Sequence, residues 1–169
     1  MHLAVDSHHR ARKPVLQVNL PTAHIRFSLT AMSVVHLSDE QLSALKAAAE
    51  AAAKNAYAPY SHFYVGAALL LQNGEIVTGA NFENASYGLT ICAERAAVGS
   101  AIARFGPKTR ITAVYIVNRN DAASAPCGAC RQVLSEFASP EAPVYFPTQT
   151  GIEQQPLSAL LPFGFQLRP

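Results

Sequence analysis

Three cysteines, at positions 92, 127 and 130, must converge if this chain is to hold one metal ion, and that requirement narrows the folds open to it. They sit in two short stretches, Cys92-Ala93-Glu94 and Pro126-Cys127-Gly128-Ala129-Cys130. Three thiolates leave one corner of a tetrahedral zinc open, which marks a catalytic rather than a structural site. Zinc bound this way makes water a nucleophile near neutral pH. Glu94, two positions from the first thiolate, is placed to move protons without binding the metal. Cys127 and Cys130 are three residues apart and share one face of a helix. Cys92 and Cys127 both fall near expected helix N-termini, where backbone N–H groups and the helix dipole stabilise thiolates. Three thiolates on Zn²⁺ leave a net negative charge that weakens its electrophilicity. Arg95 or Arg131 could restore it by donating hydrogen bonds to sulfur, and Arg95, directly after Glu94, is the preferred candidate.

Other readings of the cysteines are available. A lone Cys-x-x-Cys also suits a thioredoxin-like redox pair, and free cysteines can be plain buried hydrophobes. A structural zinc site needs a fourth ligand. The histidines at hand, His36 and His62, do not stand at ligand spacing from the cysteines. The conjunction of Cys-Ala-Glu with Pro-Cys-x-x-Cys favours the catalytic metal. An odd number of cysteines without a secretory signal argues against a disulfide framework and fits a reducing, cytoplasmic setting.

A chain of 169 residues, half of them hydrophobic, suffices for one domain with a sizeable core. No apolar run approaches membrane-span length. Residues 1–35 stand apart. They hold Arg10, Arg12, Lys13 and Arg26 against Asp6, four of the six histidines and no clear periodicity. They read as an N-terminal extension outside the fold, with Met32 as a candidate start and an organelle-targeting segment as the alternative. Residues 36–169 form the expected domain. The domain carries nine Lys/Arg against ten Asp/Glu, so it lacks the basic footprint of a polynucleotide binder.

Within the domain, Ser38-Asp39-Glu40-Gln41 has the form of a capping box, and an alanine-rich helix is expected to about Ala56. Val65 to Leu71 reads as a buried strand, Asn73-Gly74 as a hairpin turn and Ile76 to Ala80 as the return strand. A helix is expected from near Cys92 to Gly106-Pro107, then a strand over residues 111–117. Pro126 suits the first turn of a helix that ends near Ser139-Pro140. A strand over residues 144–146 and a short helix over residues 157–161 complete the pattern. Two strands followed by alternating helix and strand predict a three-layer α/β/α fold.

With these motifs in place, the chain resembles the small homotetrameric cytidine deaminases. The resemblance runs from about Leu37 to Phe165. It covers residues 57–63 (Tyr-Ala-Pro-Tyr-Ser-His-Phe) and 65–69 (Val-Gly-Ala-Ala-Leu). It also takes in residues 81–87 (Asn-Phe-Glu-Asn-Ala-Ser-Tyr), 91–95, 126–132 and 160–165. It implies a mixed five-stranded sheet, one Zn²⁺ per chain on Cys92, Cys127 and Cys130, and a homotetramer with shared active sites. It also implies that Asn81 and Glu83 hold the sugar. The two alternate along an extended segment and would point the same way, as donor and acceptor for a hydroxyl; taken alone they read as a turn asparagine and a loop acid. The resemblance further implies that Phe63 stacks on the pyrimidine, that Ala93 contributes to substrate binding, and that Tyr87 and Phe165 close the pocket of a neighbouring subunit.

The implied reaction is hydrolytic deamination of cytidine and 2′-deoxycytidine to uridine and 2′-deoxyuridine with release of ammonia, as in pyrimidine salvage. Glu94 then acts first as base and later as acid. The alternatives are deamination of a related aminopyrimidine nucleoside, such as a blasticidin-type antibiotic, and, from another class, a non-catalytic zinc or redox protein. No nucleic acid or membrane partner is expected.

Overall fold

Ser38 starts the first helix as its sequence requires. Its hydroxyl accepts from the Gln41 N–H at 3.2 Å, and the Gln41 side chain accepts from the Ser38 N–H at 3.0 Å. The chain is seen here in a computed structural model that describes residues 36–167. The expected N-terminal extension therefore lies outside the described residues. Helix α1 spans Asp39–Ala53. It stops short of the expected Ala56 because the following segment is recruited elsewhere. The Tyr57 N–H donates to the Asn81 carbonyl at 2.9 Å, and the Tyr57 carbonyl accepts from the Glu83 N–H at 2.8 Å.

Strands β1 (Val65–Leu71) and β2 (Ile76–Ala80) form the expected antiparallel hairpin. Gly74 takes a φ of +84° at its turn, where a side chain would be strained. Helix α2 (Ala93–Phe105) follows, with Cys92 as N-cap and Gly106 as C-cap. Strand β3 (Ile111–Asn118) leads to helix α3 (Gly128–Phe137), strands β4 (Pro143–Thr148) and β5 (Gly151–Pro156), and a short helix α4 (Leu157–Leu160). Pro126, expected in the first turn of α3, lies just outside it, because Cys127 takes the N-cap in extended conformation.

The five strands form one mixed sheet in the order β2-β1-β3-β4-β5. Only β3 and β4 are parallel, and α3 is their crossover. Strand β5 has no counterpart in the residue-by-residue expectation. Its residues, Gly-Ile-Glu-Gln-Gln-Pro, are mostly exposed and polar, so no buried alternation marks it. It is an edge strand held to β4 by backbone pairing.

Side chains alternate between the two faces of the sheet. Ala67, Leu69, Ile116, Val144 and Phe146 point to the side covered by α2, α3 and α4. Ala68, Leu70, Tyr115, Val117 and Tyr145 point to α1, where they meet Leu45, Ala49 and Ala53. This is the expected three-layer arrangement. Two glycines let the layers approach. A Cβ on Gly66 would run into the α1 backbone at Ala49 and Ala53, and one on Gly79 into the α2 backbone at Ala93 and Ala97. The second contact seats the first turn of α2, with Glu94, directly on β2.

Candidate metal centre and active site

Two helix N-termini, those of α2 and α3, meet at one point. Cys92 caps the first and Cys127 the second, and Cys130 lies one turn into α3, fully buried. The Cys92 and Cys127 Sγ atoms are 3.9 Å apart, and all three sulfurs lie within 4.8 Å of one another. Tetrahedral zinc with bonds of about 2.3 Å needs its sulfur ligands roughly 3.8 Å apart. The donor set and its spacing therefore fit zinc, and among the described residues this is the one such cluster found.

The charge environment supports the thiolate at Cys92. The hydrogen bond from Cys130, together with the Arg95 guanidinium, draws the Cys92 thiol down to about 5. Cys130, the donor in that bond and buried, is pushed upward. Arg95 Nη2 lies 3.7 Å from Cys92 Sγ and donates to the Thr90 carbonyl at 3.0 Å. The other candidate, Arg131, turns away from the sulfurs. Its Nε donates to the Pro126 carbonyl at 2.7 Å and its Nη1 to the Leu160 carbonyl at 2.8 Å, tying the Cys127 segment to α4.

Beside the sulfurs opens a cleft of about 350 Å³. Cys92, Ala93, Glu94 and Cys127 form its floor, and Phe63, Asn81, Glu83 and Tyr87 are in its walls. Glu94 is 4% exposed. Burial pushes its carboxyl above the ordinary carboxylate range, with the nearby Cys92 charge acting in the same direction. Glu83 is held in the opposite sense. The Ser61 side chain and the N–H groups of Tyr60 and Ser61, at 2.9 and 3.2 Å, hydrogen-bond its carboxylate and lower its pKa. Glu83 is therefore an anion at neutral pH, whereas Glu94 holds a proton more readily than an ordinary carboxylate.

Asn81 and Glu83 do share the cleft, as their alternation predicts. Much of the Asn81 amide is already committed, however. Its Oδ1 accepts from the Val65 N–H and its Nδ2 donates to the Phe63 carbonyl, both at 2.8 Å. One N–H and one lone pair remain for a ligand. Tyr87, expected to reach a neighbour, lines the cleft of its own chain at the rim, 77% exposed. Phe165 does not line its own chain's cleft. It packs beside Gln132, Val133 and Phe137 and is 67% exposed. Ser61, Thr90 and Ser124 also line the cleft and were not singled out in the sequence. Ser61 lies within the 57–63 stretch, whereas Ser124 carries no local signal.

Residues 39–146 match the model of the cytidine and deoxycytidylate deaminase zinc-binding region. The chain belongs to this family. A cytidine deaminase of Halalkalibacterium halodurans is 44% identical over 115 residues, covering 68% of this chain and 86% of that protein. The crystal structure of a cytidine deaminase from Burkholderia pseudomallei superposes with a TM-score of 0.68 at 42% identity, covering 76% of this chain and all of that one. A blasticidin-S deaminase of Bacillus cereus is more distant, 32% identical over 114 residues, with 63% of this chain and 79% of that protein covered. Family membership makes the chain a zinc-binding enzyme of the deaminase class, with Cys92, Cys127 and Cys130 grouped as possible ligands for the metal.

Proposed function

We propose that this chain hydrolyses cytidine and 2′-deoxycytidine to uridine and 2′-deoxyuridine, releasing ammonia. The observation that carries the reading is a buried carboxyl, Glu94, on the floor of a nucleoside-sized cleft beside three clustered thiols. Cys92, Cys127 and Cys130 are the residues to hold zinc, which when bound supplies the Lewis acidity that makes water nucleophilic near neutral pH. Glu94 would take a proton from the attacking water and deliver it to N3 of the base, making C4 electrophilic. After attack at C4 it carries a second proton to the departing amine. Arg95 holds the Cys92 sulfur and moderates its charge. Phe63 stacks on the base, Ala93 packs against it, and the free positions of Asn81 and Glu83 take the sugar hydroxyls.

The cleft also predicts which substrates are refused. Among the described residues its lining includes no lysine or arginine, and Glu83 is ionised there. A phosphate on the sugar meets uncompensated like charge, at an interaction of about 1–4 kcal/mol for charges near 4 Å. The 5′-monophosphates should therefore have kcat/KM roughly 10- to 10³-fold below the nucleosides. Glu83→Gln should lower nucleoside efficiency, because a neutral acceptor bonds a hydroxyl less strongly. Equal turnover of deoxycytidine and its monophosphate would replace the nucleoside reading with a nucleotide one. The 32% relative makes blasticidin S a necessary member of the same substrate panel.

The active protein is a homotetramer in this reading, and Phe165 is the residue a neighbour contributes. Among the described residues Tyr57, Tyr60, Phe82, Phe163 and Phe165 are exposed large apolar side chains, surface that neighbouring subunits would cover in such an assembly. Light scattering on the zinc-loaded protein should give four times the chain mass of 18.0 kDa. A fully active monomer would overturn the shared-site reading. Among the described residues no helix is long and apolar enough to cross a membrane. A cytoplasmic enzyme of pyrimidine salvage, with residues 1–35 outside the catalytic domain, suits a free nucleoside substrate. Fractionation recovering the protein in organelles would contradict that placement.

A further inference from the structure

The segment carrying Phe63 is not part of a regular strand, yet its backbone polar groups are all engaged. The Phe63 N–H donates to Ser61 Oγ at 3.0 Å, and the Phe63 carbonyl accepts from Asn81 Nδ2. The His62 N–H donates to the Ala58 carbonyl and the Tyr64 carbonyl accepts from the Arg119 N–H, both at 3.0 Å, which leaves the His62 carbonyl and the Tyr64 N–H to one side chain, Asn120. Its Nδ2 donates to the His62 carbonyl at 2.8 Å and its Oδ1 accepts from the Tyr64 N–H at 3.0 Å. One carboxamide thus replaces a missing strand, satisfying an acceptor and a donor two residues apart. Asn120 is 56 and 58 residues away in sequence, on the loop between β3 and α3.

That loop is itself tied down. Asn118, at the end of β3, accepts from the N–H groups of Asn120 and Ala122 at 2.9 and 3.2 Å, and donates to Ser124 Oγ at 2.9 Å. The backbone records the same clamp independently. Among the described residues, His62 (φ +55°) and Asp121 (φ +50°) are the two non-glycine residues in the left-handed region. One lies beside each end of the Asn120 bridge. Such conformations persist where surrounding contacts over-determine them, and they cluster at ligand sites.

We infer that Asn120 is a positioning residue that fixes the Phe63 segment over the base-binding part of the cleft, coupling it to the loop that supplies Ser124 and Cys127. The inference rests on the reading that Phe63 stacks on the pyrimidine. Asn120 touches neither substrate nor metal, so it acts through the placement of Phe63.

The test is a double-mutant cycle on the zinc-loaded full chain, with cytidine as substrate. Asn120→Ala should raise KM roughly tenfold while kcat changes less than about threefold, the scale of one or two lost hydrogen bonds. Phe63→Ala should raise KM as well. In the Phe63→Ala background, Asn120→Ala should add less than about twofold, because residues acting through one another are not additive. Asn120→Asp keeps the shape but cannot donate to the His62 carbonyl, so it should also raise KM, and it serves if the alanine variant fails to fold. A wild-type KM in Asn120→Asp, or full additivity in the cycle, would overturn the inference. An unchanged KM in Phe63→Ala would instead remove the stacking reading, and this inference with it.

Discussion

Glu94→Gln should leave a folded, zinc-loaded protein with kcat reduced by about 10⁴-fold or more. The substituted side chain is nearly isosteric, sits in the first turn of α2 and removes none of the three thiols, so metal content should stay near one per chain. What is lost is a carboxyl that can accept and return protons. Its burial, at 4% exposure, is what raises its proton affinity above that of an ordinary carboxylate. General acid–base contributions are typically about 10²–10⁴-fold for one transfer, and here one residue serves several, which places the effect at the upper end or beyond. Single-turnover kinetics beside zinc analysis is the measurement. Near-normal turnover in the zinc-loaded glutamine variant would sink the proton-shuttle role.

Cys127→Ala should lose zinc and activity together. Cys127 is exposed whereas Cys130 is fully buried, so truncating Cys127 removes a ligand without opening a core cavity. Two thiolates remain, too few for a stable site. Because disturbing even an outer partner of a ligand costs about 10- to 100-fold in affinity, losing a ligand should exceed that range. Metal analysis should fall from about one zinc per chain toward none after dialysis. Activity should fall in proportion, and the circular dichroism of the sheet and helices should change little. Retention of both zinc and turnover would remove Cys127 from the ligand set.

Much of this site was legible because its signals are local. Cys92 and Glu94 are two residues apart, Cys127 and Cys130 three, and each pair opens a helix whose start the surrounding residues announce. Fixed short spacings on a helix leave little for tertiary structure to alter. The capping box at Ser38, the Asn73-Gly74 turn and the apolar strands were readable for the same reason. So was the three-layer architecture, which follows from the order of elements.

What only the folded chain decided are the relations across long loops. The choice between Arg95 and Arg131 depended on where each guanidinium points. Arg131 finds backbone carbonyls at Pro126 and Leu160, and the second of these lies 29 residues away. Strand β5 went unread because an edge strand pairs by backbone and buries few side chains, so its residues carry no pattern. Asn81 reads as a free ligand for a sugar, but its amide is largely spent on the Phe63–Val65 backbone. Asn120 had no signal at all, since a carboxamide that replaces a missing strand is recognisable only when the strand it replaces is in view. Short-range spacing pointed to the proposed metal ligands and the proposed proton carrier. The geometry of the cleft around them came from hydrogen bonds between segments that meet only in the folded chain.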